Sequence, residues 1–260
     1  MSKLHVETIH SATGPCVLWL HGFLGCGEDW RWFAQRLPGR THLLIDLPGH
    51  GATSPLSEED WLVALPALLD ELVPSGRPVF VVGYSMGARV AMKWLATTET
   101  KVSVACLVSG HPGFAAMDQR RARFEVDEAR AAEMLSVGLA GFVERWYASP
   151  LLRELHELDC CEAVMTRRAR GSTSARAAAL LGMSSGRQAD LLPQLRRRST
   201  RLHWIAGERD ERYDALLQGA CQAVPGSRLH RAPGAGHQVP LAKPQWLLEL
   251  LDQLLAVDLG

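Results

Sequence analysis

The chain is predicted to adopt an α/β fold, a mostly parallel sheet flanked by helices with a helical lid inserted after the strand near 102–109, and three observations carry that prediction. Short apolar runs alternate with helix-period patterns along the chain. Val81-Val82 leads through Gly83-Tyr84-Ser85-Met86-Gly87 directly into a helical stretch. Between about Gly113 and Leu192 the strand pattern stops. Alternation of strands and helices argues for a parallel sheet covered on both faces.

Taken in order, the first predicted strand lies near 16–20, where Cys16-Val17-Leu18-Trp19-Leu20 is apolar throughout and runs into His21-Gly22-Phe23-Leu24-Gly25. The next, near 42–46, ends in the turn-like Leu47-Pro48-Gly49-His50-Gly51. A helix is predicted around 58–73, a strand near 78–82, a helix over 86–97, and a strand over 102–109 that ends at Gly110-His111-Pro112-Gly113. The stretch that follows is rich in Ala, Arg, Glu and Leu at helix-compatible spacing, as in Asp127–Leu135, and the α/β pattern resumes with strands near 201–206 and 227–231 and a helix around 243–256. The expected organisation is one core, residues 1–112 and 193–260, interrupted by a lid of residues 113–192. That lid would sit above the carboxyl ends of the strands and is not expected to fold alone.

At 260 residues and 47% apolar content the chain can bury one large core. A formal net charge of zero leaves no global field favouring nucleic acid or an anionic membrane. No run of about 18 apolar residues is present, and the N-terminal residues lack a signal-peptide apolar region, so a cytoplasmic protein without membrane insertion is expected. The six cysteines, Cys16, Cys26, Cys106, Cys160, Cys161 and Cys221, show no C-x-x-C spacing. Neither a disulfide nor a metal site is assigned to them, and the vicinal pair Cys160-Cys161 is expected to divide between helix surface and core. No cofactor is called for.

Chemistry enters with G-x-S-x-G at residues 83–87, which between a strand and a helix fits a nucleophile elbow. In a chain with 23 glycines the motif alone is weak; order supplies the rest. A reactive serine needs a base, an acid to orient it and an oxyanion hole, arriving in the order Ser, Asp or Glu, His. Ser85 is the candidate nucleophile or base. His237 lies in the glycine-rich Ala232–Gln238 stretch after a strand, and Asp210 follows the apolar run at 202–205. Glu208 and Asp214 are rivals of Asp210, which is preferred for its G-x-x-D context 27 residues before His237. The backbone N–H groups of Phe23 and Met86 are the candidate oxyanion hole. His21, His50 and His111 are expected to be structural hydrogen-bonding residues.

Eleven arginines fall between Arg120 and Arg187. For most, a solvated helical surface is the ordinary explanation. Arg89 differs, because four residues past Ser85 on the next helix it places a guanidinium near the nucleophile, suiting a carboxylate. The opposing explanation is that Arg89 pairs with an internal acid.

Gly83-Tyr84-Ser85-Met86-Gly87-Ala88-Arg89-Val90-Ala91-Met92, with Gly110-His111-Pro112-Gly113, Trp146-Tyr147-Ala148-Ser149-Pro150, Gly207-Glu208-Arg209-Asp210 and Gly236-His237, resembles the 2-succinyl-6-hydroxy-2,4-cyclohexadiene-1-carboxylate synthase family of menaquinone (vitamin K2) biosynthesis over nearly the whole chain. The resemblance implies an α/β-hydrolase fold used by a lyase. Its substrate would be a small-molecule tricarboxylate, a cyclohexene carrying a carboxylate, a succinyl group and an enolpyruvyl ether. By position, Ser85, Asp210 and His237 match the family's triad. Arg89, Arg123 and Arg168 match its carboxylate-binding arginines, with Arg167 and Arg170 beside the last. Tyr84 and Trp146 match residues lining the substrate pocket. Two positions depart from the pattern: Ala88 stands where the family often has glycine, and Gln238 where related chains often carry Asn. The rival readings are a serine esterase or carbon–carbon bond hydrolase acting on a small anionic substrate, and a non-catalytic binding protein.

Overall fold

The structure is a computed structural model describing residues 3–10, 14–57, 61 and 63–256. Among the described residues seven strands form one sheet: β1 (Val6–Ile9), β2 (Cys16–Leu20), β3 (Thr41–Ile45), β4 (Val79–Tyr84), β5 (Val102–Val108), β6 (Arg201–Gly207) and β7 (Arg228–Ala232). Their order is β1-β3-β2-β4-β5-β6-β7. Every neighbouring pair is parallel except β1 and β3. The helices are α1 (Arg31–Ala34), α2 (Ala64–Leu72), α3 (Met86–Thr97), α4 (Met117–Ala148), α5 (Cys161–Arg168), α6 (Thr173–Gly182), α7 (Leu192–Leu195), α8 (Glu211–Ala223), α9 (Val239–Ala242) and α10 (Pro244–Leu255).

Side chains that alternate along each strand divide between two cores. Leu18, Val81, Ala105 and Trp204 face α2, α3 and α8, meeting Leu69, Trp94 and Leu217. Val17, Trp19, Phe80 and Val82 face α1 and α10, meeting Phe33, Leu247 and Leu251. Covering on both faces explains why β2 and most of β4 read as unbroken apolar runs, and why every residue of β3 is buried. It also fixes the register, because a one-residue slip would move every side chain to the wrong core.

After β5 the chain leaves the sheet and returns only at β6. Neck residues pair across this departure: Phe114 bridges Ala189, and the Leu191 N–H donates to the Pro112 carbonyl at 3.0 Å. Between them α4, α5 and α6 build a third core around Met134, Phe142, Leu155, Val164 and Leu180, with Leu24 from the sheet side. Gly138 (φ 76°, ψ 164°) breaks α4 into two helices at an open position, where glycine alone tolerates that backbone without strain.

Several expectations need amendment. β1 was not foreseen, because four residues at a sheet edge carry little pattern. Likewise α8 escaped notice, its apolar stripe being thin, with Leu217 and Ala220 its buried members. The helix expected over 58–73 is observed as Ala64–Leu72, and residues 58–60 and 62 of that expectation lie outside the described residues. Cys160 and Cys161 do not split between surface and core; both are half-buried at the start of α5. Among the described residues no helix is long and apolar enough to cross a membrane.

Leu251 is fully buried on α10, whereas Leu135 of α4 is 58% exposed. Leu251→Ala should lower the unfolding free energy by about 2–5 kcal/mol and Leu135→Ala by less than about 0.5 kcal/mol. Urea denaturation of the two variants would check the contrast.

Candidate active site

β4 enters α3 through Ser85, a non-glycine residue held at φ 50°, ψ −105°. Such a conformation is sparsely populated and costs about 1–3 kcal/mol, so its surroundings must hold it in place. The Ser85 N–H donates to the Val108 carbonyl at 2.8 Å, tying the turn to β5. The flanking glycines are required for space. A Cβ on Gly83 would lie 2.6 Å from the Gly87 carbonyl oxygen, and one on Gly87 would strike the Leu20 and His21 carbonyls. Ala88, by contrast, is fully buried within α3, where alanine is a good helix former, and Gly110 leaves room for its methyl group.

Two loops at the carboxyl ends of the neighbouring strands complete a hydrogen-bonded chain. The His237 Nε2 lies 3.2 Å from the Ser85 Oγ, and its Nδ1 lies 2.8 Å from the Asp210 Oδ2. Asp210 is also the N-cap of α8, its Oδ1 accepting the Tyr213 N–H at 3.2 Å. With both oxygens engaged, its carboxylate is fixed toward the imidazole. The rival acids are occupied elsewhere: Glu208 accepts the Gly234 N–H at 2.8 Å, and Asp214 pairs with Arg231 at 2.7 Å.

Ser109 is a contributor that the sequence did not reveal. Fully buried, its hydroxyl donates to the His237 carbonyl at 3.0 Å, and its backbone sits at φ 50° at the end of β5. A serine ending a strand is too common to be a signal by itself.

Phe23 and Met86 line the same cavity as Ser85. Met86 is the first residue of α3, so its N–H lacks an intrahelical acceptor. His21, His50 and His111, expected to be structural, have local hydrogen-bonding roles. His21 Nε2 accepts the Leu47 N–H at 3.0 Å, and its Nδ1 donates to the Gly22 carbonyl at 2.7 Å. His50 accepts the Leu24 N–H through Nε2, and His111 accepts the Gly113 N–H through Nδ1.

The cavity encloses about 440 Å³ between the strand ends and the helical insertion. Six arginines line it, Arg89, Arg123, Arg130, Arg145, Arg168 and Arg212, against two carboxylates, Asp29 and Glu133. Among the described residues Arg89 has no carboxylate partner; its Nη1 donates to the Met183 carbonyl. Burial, then the neighbouring Arg123, lowers its pKa to about 10, so it stays cationic at neutral pH. Arg123 forms a two-point pair with Asp127 at 2.9 and 2.8 Å, and Arg130 reaches the same carboxylate at 3.3 Å. Arg168 pairs with Asp29 at 2.5 Å. Burial opposes charging on both partners, but their attraction outweighs it, raising the Arg168 pKa and lowering that of Asp29. Of the three adjacent candidates, Arg168 lines the cavity, Arg167 forms an ion pair with the other oxygen of Asp29 at 3.0 Å, and Arg170 is exposed. The solvated-surface explanation therefore fails for several insertion arginines. It fails also for Arg176, which is 5% exposed and donates to the Gly49 carbonyl at 2.7 Å.

Tyr84 and Trp146 form aromatic walls. The Tyr84 ring lies 5.9 Å from that of His237, and Trp146 packs edge-on against Phe23 at 5.2 Å, with the Arg130 guanidinium 5.2 Å above its ring. Tyr213, 4.5 Å edge-on to His237, and Arg212 are lining residues that sequence reasoning missed, because α8 itself was missed.

Residues 17–250 match the alpha/beta hydrolase family. The chain is 30% identical to a 2-succinyl-6-hydroxy-2,4-cyclohexadiene-1-carboxylate synthase of Klebsiella pneumoniae, over 93% of this chain and 94% of that protein. It is 31% identical to a putative synthase of the same name from Bacillus subtilis, over 92% and 89%. The chain belongs to the MenH-type branch of the α/β-hydrolase family. A similar stretch occurs in the chloroplastic protein PHYLLO of Arabidopsis thaliana, 30% identical over 94% of this chain, which spans 16% of that much longer protein. MenH from S. aureus superposes with a TM-score of 0.89 at 24% identity, covering 97% of this chain and 98% of that one, a likeness of fold. A malate-bound esterase of Thermogutta terrifontis shares the fold at a TM-score of 0.81 and 20% identity, over 97% and 93%. The α/β-hydrolase architecture is thus common to enzymes of different names.

Acid should destabilise the protein through its buried histidines. Burial lowers the His21 pKa from 6.5 to about 4. Between those values the unfolded chain holds a proton that the folded chain does not, so stability falls as pH drops through that window. His111 behaves alike, lowered to about 4 by burial and then by Arg89, Arg123 and Arg212. Urea denaturation should give a smaller unfolding free energy at pH 5 than at pH 7; equal values would overturn this assignment of neutral histidines.

Proposed function

We propose that the protein eliminates pyruvate from 2-succinyl-5-enolpyruvyl-6-hydroxy-3-cyclohexene-1-carboxylate, giving 2-succinyl-6-hydroxy-2,4-cyclohexadiene-1-carboxylate, as a carbon–oxygen lyase of menaquinone biosynthesis. The observation that carries this reading is Arg89, a half-buried cation that has no carboxylate partner among the described residues and lines the same cavity as Ser85. A neutral ester would gain nothing from it, whereas a substrate carboxylate supplies the missing partner. Membership of the MenH-type branch supports the particular tricarboxylate.

Ser85, His237 and Asp210 act as a triad. Asp210 holds the His237 Nδ1–H, leaving Nε2 to take the Ser85 proton. The serine oxygen then removes the proton from the ring carbon beside the succinyl ketone. Electrons shift through the ring double bond, the bond from the ring to the enolpyruvyl oxygen breaks, and the departing enolate becomes pyruvate on protonation. No acyl-enzyme forms. Charge developing on the ketone oxygen is met by the Phe23 and Met86 N–H groups, each worth roughly 3–4 kcal/mol in comparable sites.

Arg89, Arg123 and Arg168 bind the substrate carboxylates, and Tyr84 and Trp146 enclose the ring. Residues 113–192 serve as the lid over a core of residues 1–112 and 193–260, excluding water from the charged intermediate. No cofactor takes part. We place the reaction in the cytoplasm, a reducing compartment that suits six free cysteines.

Purified protein incubated with the enolpyruvyl cyclohexene should release pyruvate and diene in equal amounts, and Ser85→Ala should abolish this while keeping the fold. Arg89→Ala should lower kcat/KM about ten- to a hundredfold, the worth of a charge-assisted hydrogen bond. No pyruvate release, with Ser85-dependent ester cleavage and an acyl group trapped on Ser85, would assign a hydrolase instead.

A further inference from the structure

The loop carrying His237 is gripped on both sides by one turn of the helical insertion. On the N-terminal side, the Gly236 N–H donates to Glu154, whose two carboxylate oxygens lie at 2.8 and 2.9 Å. On the C-terminal side, the Gln238 side-chain amide donates to the Leu152 carbonyl at 2.8 Å. Both polar side chains are buried, Glu154 at 7% and Gln238 at 1% exposure. Glu154 has no basic partner among the described residues.

A buried carboxylate without a cation is costly, and a turn needing only packing would be better served by an apolar side chain. The approach is also close: a Cβ on Gly236 would lie 2.6 Å from the Glu154 Oε2, and its three nearest atoms would all belong to Glu154. Gly236 is not at positive φ, so the need for glycine here comes from Glu154 and not from the backbone.

We propose that Glu154 is a positioning residue for His237, and that with Gln238 it makes the 152–154 turn a fixed clamp on the base's loop. The clamp sets the backbone on either side of His237, while Ser109 holds its carbonyl and Asp210 its ring. This part of the insertion therefore belongs mechanically to the catalytic centre, not to whatever portion opens for substrate. The inference rests on His237 serving as the base in the reading above.

Four variants test it: Glu154→Ala, Glu154→Gln, Gly236→Ala and the double Glu154→Ala/Gly236→Ala. Each is assayed for pyruvate release and for the rate at which a fluorophosphonate labels Ser85. A misplaced base should lower kcat and labelling about ten- to a hundredfold in Glu154→Ala, with KM nearly unchanged. Glu154→Gln keeps an acceptor for the Gly236 N–H and should recover most of the loss. Gly236→Ala should reproduce the Glu154→Ala defect. The double variant should be no worse than Glu154→Ala alone, because the smaller residue leaves room for the new methyl group.

Wild-type kcat and labelling in Glu154→Ala would overturn the proposal. So would losses that multiply in the double variant, or an equal loss in Glu154→Gln that follows thermal stability alone. Wild-type protein that labels at Ser85 yet releases no pyruvate would sink the lyase reading separately, leaving the clamp to be decided by labelling rates.

Discussion

The turn at Ser85 is the constraint on which the site depends. A positive-φ serine between β4 and α3 brings strand and helix so close that Gly83 cannot carry a Cβ, while the end of β2 lies too near Gly87 for one there. The parallel sheet holds that strain through the bond from the Ser85 N–H to Val108. One strand further on, Ser109 takes the same φ of 50° and anchors the carbonyl of His237. Adjacent parallel strands thus end at one level, which lets loops from β4, β6 and β7 converge on a single point.

Above that point, charge is apportioned by pairing. Arg168 and Arg167 share Asp29, and Arg123 and Arg130 share Asp127. Buried pairs of this kind contribute little net stability, since desolvation offsets attraction, but they fix guanidinium groups in place. Removing one partner would leave an uncompensated charge, so each paired arginine is held by its acid as firmly as by packing. Arg89 is held differently, by a carbonyl, and keeps its full charge facing the cavity.

The helical insertion does two mechanical jobs with one small core. Its residues around Phe142 and Trp146 close the cavity against Phe23, while the 152–154 turn grips the His237 loop. Between the first half of α4 and this fixed part lies Gly138, whose conformation interrupts the helix in open space.

By itself the sequence determined the fold class, the strand-to-helix turn at Ser85, and the order in which Asp210 and His237 follow. These features are local: a strand is written in contiguous apolar residues, and a tight turn in its own glycines. Asp210 was separable from Glu208 and Asp214 only by context; in the structure its carboxylate meets His237, whereas Glu208 meets the Gly234 N–H and Asp214 meets Arg231. Only the tertiary structure decided which insertion arginines face the cavity and which are neutralised. Arg168 meets Asp29 across 139 residues of sequence, Ser109 meets His237 across 128, and Glu154 meets Gly236 across 82. Coulombic and hydrogen-bond energies depend on distance in space, and no periodicity along the chain records it.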